Sequence, residues 1–566
     1  VEALSDLDVL IVDCQTTGAS PALGSVLELG WGVVRANLPG VQELQAHWVA
    51  LPAGHAVPRE VRRLTGYRED RCDAVLTPQE TWERLRVTMR ASASMPAAIH
   101  FARFELAFLR DWSQRFAAEA PFPLDAVCVH ALACRLYPDL PRRSLRALAG
   151  FLGHSVDLTR RAEGHVAATA FIWQRLAGEL EQLGVGTWSE LNAWLAAPRG
   201  PQKRKRRYPM PSAQYRALAD QPGVYRFMRC NGDLLYVGKA ASLRKRVASH
   251  FTAGAATTER ALEMLTQVHH IDVTPTATAL EAALLENESI KSLRPPYNVQ
   301  LMVIDGPTWF ANATFDAASP TPDMTYPLGP LPSALSVRSL GALIALAKGA
   351  EPTRGLRARA VGAADVWAPD EASFVAGFRS FAERHLPAWS DGAPRDGGSS
   401  ARRAVLTAAK RLLQASKSAS LLAEGTDEPT SDAIAAWDPE RVNRHIERAA
   451  AQSYQVLRRA RWLCLLYDSV VAYREPGAEG TRVLMIAGGR LQWARDLEPG
   501  EALPAPTVNR PTRERQTRCD RACYDGLRTL VTELKRVRRD RGSIAVRVGR
   551  GRLVEGAVLD GLLCWV

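Results

Sequence analysis

The sequence predicts a multidomain chain of mixed α/β and α+β character. Three observations predict it. Residues 5–185 alternate short, apolar, β-branched runs with segments of helical spacing. A basic, proline-rich stretch then breaks the pattern. Beyond it, Asn231-Gly232 joins two strand-like runs, which is a strong hairpin signal. The length of 566 residues leaves room for three or four domains at roughly 100–200 residues each.

Within residues 1–190, VLIVD and VLELGWGVV read as strands, whereas FELAFLRDW, VHALACRLY, SLRALAGFLG and AATAFIWQRLAGEL have helical spacing. Residues 191–213 read as a linker, with Lys203, Arg204, Lys205, Arg206 and Arg207 in one basic run. A solvated spacer and a phosphate-contacting strap are compatible readings of it. Residues 214–302 form a compact unit. Its hairpin is followed by a helix, SLRKRVASHF, that places Leu243, Val247 and Phe251 on one face. A second helix starts near Thr278, where T-A-L-E fits a capping box. In residues 303–566, WLCLLYDSVVAYRE, TRVLMIAGG and SIAVRVGRG read as strands, with PGAEG as a turn. Polar, small-residue stretches near 387–402 and 415–435 are expected to be flexible insertions. A late helix has Leu527, Leu530, Val531, Leu534 and Val537 on one face and Arg528, Lys535, Arg536 and Arg539 on another.

The formal net charge of +12 favours a polyanionic partner, most commonly nucleic acid. No apolar run reaches the ~18–20 residues of a membrane span. The opening VEALSDLDVL carries acids and no basic run, so a signal peptide is not expected. Nine cysteines without a CxxC pair suggest neither a zinc ribbon nor a disulfide framework, and fit a reducing cytoplasm. The one-turn pairs Cys519/Cys523 and His130/Cys134 read as packing residues.

The central unit carries the clearest chemistry. Tyr225 and Tyr236 fall on adjacent strands, followed by Lys239 and the helical cations Arg244 and Arg246. At about 100° per residue, Glu286 lies beside Ala282, Ile290 and Leu293, away from Glu281 and Glu288. A carboxylate on such a face needs a cation as partner. Tyrosines, cations and one acid suit phosphodiester hydrolysis: a metal on the acid neutralises phosphate charge, and a tyrosine takes a proton from water.

PGVYRF…GDLLYVGKAASLRKRV…ALEAALLENESIKSLRPPYNVQL resembles the GIY-YIG nuclease domain of the excinuclease C subunit, UvrC, and its shorter relative Cho. The resemblance implies Tyr225 as general base and Tyr236 as second signature tyrosine. It implies Lys239 supporting ionisation and Arg246 stabilising the phosphate. Glu286 would hold one Mg²⁺ or Mn²⁺, and Asn298 would complete the site. His250 stands where the family often has tyrosine, and is expected to contact DNA phosphate or water; Arg244 and the 203–207 run are expected DNA contacts.

IVDCQTTG, VRRLTGY, IHFARFELAFL and RRAEGHVAATA resemble a DnaQ-like exonuclease domain, as in the polymerase III epsilon subunit, with an RNase-H-like mixed sheet and flanking helices. That family uses four acids and a base histidine around two divalent ions. Asp13 and Glu105 match two of the acids. Gln15 and His165 stand at the other two, and Arg160 stands at the base histidine. Two anions and a nearby cation are a poor match for two magnesium ions. The resemblance therefore implies a metal-dependent, UvrC- or Cho-like single-strand DNA incision for repair, beside a degenerate exonuclease domain that binds DNA or a partner. Two alternatives remain: a dual nuclease that also trims 3′ ends, and a non-catalytic DNA-binding adaptor. A damage-recognition complex or a DNA polymerase is the expected partner, in the nucleoid of a bacterial cytoplasm. The role of residues 303–566 is left open.

Overall fold

The computed structural model describes residues 2–69, 75–89, 94–155, 160–198, 207–252, 258–299, 302, 308–386, 389–390, 393–394, 399–415, 437–508, 510–548, 551–556 and 559. The chain groups into two compact units, residues 1–279 with 293–298, and residues 280–292 with 299–566.

The first unit opens with β1 (Val9–Thr16), β2 (Val26–Val34), β3 (Gln42–Val49), α1 (Arg59–Thr65), β4 (Val75–Leu76), α2 (Pro78–Thr88), β5 (Met95–Ile99), α3 (Ala102–Phe116), β6 (Leu124–Cys128), α4 (Val129–Leu136), α5 (Leu145–Phe151), α6 (Ala162–Gln182) and α7 (Trp188–Ala196). The strands form one mixed sheet in the order β4-β3-β2-β1-β5-β6. Side chains of a strand alternate between faces. Val9 and Ile11 therefore pack against Val166, Ile172 and Trp173 of α6, while Leu10 and Val12 pack against Trp82, Phe108 and Trp112 of α2 and α3. The same alternation sends Asp13 and Gln15 to the α6 side of the sheet.

The chain continues through α8 (Ser212–Arg216), β7 (Gly223–Met228), β8 (Leu234–Ala240), α9 (Leu243–Phe251), α10 (Glu259–Gln267) and β9 (His270–Pro275). β7 lies between β8 and β9, antiparallel to both. Leu243, Val247 and Phe251 of α9 are all buried, as their spacing predicts. The expected linker is shorter than 191–213. α7 extends to Ala196, and Met210 is buried in the core of the β7–β9 sheet with Tyr208 packed against it. The two domains of this unit meet where α5 passes α10. A Cβ on Gly150 would fall 1.9 Å from the Gln267 Oε1.

The second unit contains α11 (Ala279–Leu293), β10 (Trp309–Ala311), β11 (Ala318–Ser319), β12 (Leu328–Leu331), α12 (Arg338–Ala347), α13 (Arg354–Val361), α14 (Glu371–His385), β13 (Trp389–Ser390), β14 (Ala393–Pro394), α15 (Ser399–Ala415), α16 (Pro439–Leu466), β15 (Ser469–Arg474), β16 (Thr481–Ala487), β17 (Arg490–Leu497), α17 (Thr512–Arg518), α18 (Arg521–Arg539), β18 (Ser543–Val548) and β19 (Arg552–Val554). Helices α12 to α16 share one core. An antiparallel sheet, β17-β16-β15-β18-β19, is covered by α18 through the apolar face that its spacing predicts.

Three expectations change here. WLCLLYDSVVAYRE is not all strand: residues up to Leu466 finish α16, and only Ser469–Arg474 form β15. The insertion expected at 387–402 stops short of α15, whose Ala401, Val405 and Leu413 are buried. Residues 416–435 lie outside the described residues. The boundary drawn at residue 302 does not separate the units, because Leu280–Ser292 group with the C-terminal region. Leu280 is buried in the same core as Val471, Leu527 and Leu530. No helix among the described residues is long and apolar enough to cross a membrane.

Candidate active site

Strand register assembles the aromatic part of the site. Tyr225 pairs with Gly238 across the β7–β8 ladder, and Phe227 pairs with Tyr236, so all four share one face. The Tyr225 and Tyr236 ring centroids are 6.0 Å apart. Gly238 is required by this packing: a Cβ there would fall 2.5 Å from the Tyr225 Oη. Tyr225 is fully buried, and its hydroxyl is hydrogen-bonded to His250 Nε2 at 2.7 Å. Burial and the Arg246 guanidinium, four residues earlier on α9, push His250 down to about 4. The imidazole is therefore neutral near pH 7, and in its Nδ1–H tautomer Nε2 accepts the phenolic proton. His250, expected to touch DNA, is thus bonded to the signature tyrosine.

Lys239 is exposed on β8, and Arg246 is exposed on α9. Arg244 and Lys245 both pair with Asp220, at 3.1 and 3.4 Å. Arg207 is exposed, and its backbone N–H donates to the Asp139 carbonyl at 2.9 Å. Lys203, Arg204, Lys205 and Arg206 lie outside the described residues.

Asn298 has a positioning role that its sequence assignment did not specify. The Val237 N–H donates to its Oδ1 at 3.0 Å, and its Nδ2 donates to the Val237 carbonyl at 2.9 Å. The amide so pairs the outer edge of β8, as a neighbouring strand would. The adjacent Tyr297 is anchored in turn. Its hydroxyl donates to Glu263 Oε1 at 2.7 Å and accepts from Gln267 Nε2 at 2.6 Å. Arg146 stacks over its ring at 4.8 Å, and the Ser144 hydroxyl donates to Glu263 at 3.1 Å. Arg146 and Ser144 belong to the N-terminal domain. The quoted P-P-Y-N motif contained Tyr297, but only folding reveals the network behind it.

Glu286 is half-buried on α11. Its helical neighbours differ from the expected face: Ala282 and Ile290 are buried, but Leu293 is 50% exposed. α11 also buries a second acid. Glu281 receives both Arg482 Nε and Nη2, at 2.7 and 3.1 Å. Periodicity could not find this pair, because Arg482 lies some two hundred residues away in sequence.

The N-terminal domain gathers its predicted residues at one cleft of about 1170 Å³, which Asp13, Gln15, Glu105 and His165 help to line. His165 Nδ1 lies 3.0 Å from Asp13 Oδ2. Gln15 Nε2 donates to the Arg160 carbonyl at 2.7 Å. The Cys14 N–H donates to Glu105 Oε2 at 2.5 Å. Burial, and then the Asp13 charge, push the Glu105 carboxyl well above its usual range. A hard divalent ion wants several anionic oxygens. Here one carboxylate holds a histidine, the other favours its protonated form, and the third position is an amide. Among the described residues no three His, Cys, Asp or Glu side chains converge to hold a metal ion. The donor set does not fit two magnesium ions.

Sequence reasoning missed two features of this domain. Glu28 is fully buried, accepting from Arg161 Nε at 2.5 Å and from the Ala162 N–H at 3.0 Å, which ties the start of α6 to β2. A lone acid in the apolar run VLELGWGVV was its signal. His100 and Phe101 also line the cleft; they sit in the quoted H-F-A-R-F-E, where attention fell on Glu105.

Comparison with known proteins agrees with this division. Residues 221–299 match the family model described as a UvrC-like GIY-YIG domain. The UvrABC system protein C of Alkalilimnicola ehrlichii is 54% identical over 91 residues, covering 16% of this chain and 15% of that protein. A Mycobacterium tuberculosis protein named as a bifunctional exonuclease/endonuclease is 28% identical over 305 residues, covering 52% of this chain and 45% of that protein. The magnesium-bound crystal structure of the N-terminal endonuclease domain of Thermotoga maritima UvrC is 30% identical, covers 15% of this chain and 93% of that one, and has a TM-score of 0.14. The chain thus spans less than half the length of these curated relatives. It carries a UvrC-like GIY-YIG domain at residues 221–299, behind a mixed α/β, exonuclease-like N-terminal domain.

Proposed function

We propose that the chain is a DNA endonuclease that nicks one strand by hydrolysis, in UvrC- or Cho-like excision repair. The observation that carries the reading is the buried 2.7 Å hydrogen bond from Tyr225 to His250 within the UvrC-like domain. A phenol that donates to a neutral imidazole keeps its oxygen lone pairs for a second proton donor. As the phenolic proton passes to His250 Nε2, the Tyr225 oxygen takes a proton from the attacking water, so Tyr225 is the general base and His250 holds the released proton. Tyr236 walls the same face. Exposed Arg246 takes the phosphate and keeps His250 neutral. Lys239 adds positive charge to the same substrate surface, with Arg244 and Arg207 as further phosphate contacts.

One divalent ion, Mg²⁺ or Mn²⁺, fits Glu286, whose half-buried carboxylate offers a hard oxygen donor. When bound, the ion supplies charge neutralisation at the scissile phosphate. The exonuclease-like domain does not cut in this reading; it binds DNA or a partner such as a damage-recognition complex or polymerase. The basic balance suits work on chromosomal DNA in a bacterial cytoplasm.

The test is a nicking assay on a duplex with one bulky lesion, in Mg²⁺ and in Mn²⁺. Tyr225→Phe is expected to slow nicking by about 10²–10⁴-fold. Glu286→Ala should abolish it, and Asp13→Ala should leave it intact. Undiminished nicking by Glu286→Ala would refute the assignment. Trimming of 3′ ends that Asp13→Ala stops would favour the dual nuclease instead.

A further inference from the structure

The second unit holds a polar pocket of about 340 Å³ between the start of α12 and the middle of α16. The first N–H groups of a helix have no partner within it and carry partial positive charge. Neighbouring helices meet this need with a side chain. Thr353 accepts from the Leu356 N–H at the start of α13, and Asp438 accepts from the Arg441 N–H at the start of α16. α12 has neither a capping side chain nor an acid in its first turn. Among the described residues, no Asp or Glu lines the pocket either.

Two buried serines point independently to a ligand. Ser339 on α12 and Ser453 on α16 are each 5% exposed, and both line the pocket. A helical serine ordinarily turns its hydroxyl onto the carbonyl four residues back, as Ser292 does with Glu288 at 2.9 Å. Among the described residues, neither the Ser339 nor the Ser453 hydroxyl makes a hydrogen bond. Buried hydroxyls are nearly always paired, so two unpaired ones on opposite walls of one pocket await a partner. Arg338 opens α12 on the same lining. Its Nη2 donates to the Ala363 carbonyl at 2.9 Å, which fixes the guanidinium and leaves others of its five N–H groups for an anion.

This donor set selects the ligand. A metal ion is excluded, because no carboxylate is present to hold it. A helix end, a guanidinium and two hydroxyls suit an anion with several oxygens. A carboxylate offers two, and so does a phosphate inside a nucleic-acid strand. A phosphate monoester offers three free oxygens, and the volume leaves room for the group that it is attached to. We propose that this pocket binds a phosphate monoester, held by the first turn of α12, the Arg338 guanidinium and the Ser339 and Ser453 hydroxyls. The monoester comes either from the 5′ end of a strand or from a free phosphorylated small molecule, and the chemistry of recognition is the same. The inference does not depend on the nicking reading of the tyrosine site.

The experiment is calorimetric titration of the full chain at fixed ionic strength. The probes are inorganic phosphate, ribose 5-phosphate, and one short single strand with either a 5′-phosphate or a 5′-hydroxyl. Ribose 5-phosphate should bind saturably if the source is a small molecule. The phosphorylated strand should bind more tightly than its hydroxyl twin if the source is a strand end. Ser453→Ala is the informative variant. It deletes an unpaired hydroxyl, so it should fold at least as well, while the affinity for the phosphorylated probe falls about tenfold or more. Ser453→Asp sets a carboxylate against the phosphate and should remove binding; its melting temperature reports whether it folds. Affinity unchanged in Ser453→Ala overturns the proposal. Equal binding of the two strands, together with no saturable binding of inorganic phosphate or ribose 5-phosphate, overturns it as well.

Discussion

At the scale of single residues, His250 and Glu105 lead to pH predictions. His250 lies at about 4 in the folded chain, against an ordinary 6.5. A lowered value means the folded state resists protonation. Its contribution to stability is present above pH 6.5 and is lost as pH falls towards 4. His250→Tyr removes that titration, so its melting temperature should fall less than that of the native chain between those pH values. The same variant keeps a hydroxyl partner for Tyr225 and should nick within about tenfold of native, whereas His250→Ala should lose about 10²-fold. Glu105 moves the other way. Its raised value means stability is fully present below the ordinary 4.5 and is lost as pH rises through the folded value. Glu105→Gln keeps an oxygen for the Cys14 N–H, so it should melt higher at neutral pH, with the gain shrinking towards pH 4.5. The identities of Tyr225, His250 and Asp13 were legible from motif and spacing. Their partners were not, because a hydrogen bond spans a distance in space that spacing along the chain does not encode.

At the scale of elements, close approaches decide what may change. Gly238→Ala puts a methyl 2.5 Å from the Tyr225 Oη, and should cost about 1–3 kcal/mol of stability together with most of the nicking rate. Denaturant melts and initial rates would check both. The contact of α5 with α10 makes a second forecast. Gly150→Ala pushes on Gln267, which holds the Tyr297 hydroxyl beside Asn298. A substitution in the exonuclease-like domain should therefore slow nicking through kcat, with little effect on DNA affinity. Equal rates for Gly150→Ala and native protein would refute this coupling. Helices with a clean apolar face, such as α9 and α18, were readable from periodicity alone. The end of α16 was not: WLCLL is apolar enough for either state, and its burial within the core of the second unit kept it helical.

At the scale of the whole molecule, the division of the chain runs through the nuclease domain instead of after it. Among the described residues, Glu281→Ala would leave the Arg482 guanidinium with Asp496 at 3.3 Å, and should destabilise the second unit by about 3 kcal/mol. Because α11 also carries Glu286, nicking should lose thermal resistance by the same substitution; activity assayed after graded heating would show it. A fragment ending at residue 302 would expose Leu280 and should aggregate or stay inactive, although it contains every signature residue. The sequence motif marks a continuous stretch of chain, residues 221–299, whereas packing groups residues by contact, so the two divisions differ. There is a hereditary side to α11. A recombination event that copied only residues 221–279 into another gene would leave α11 behind with the core that buries its Leu280. The C-terminal region is on this account passed on together with α11, whose Glu281 its Arg482 pairs.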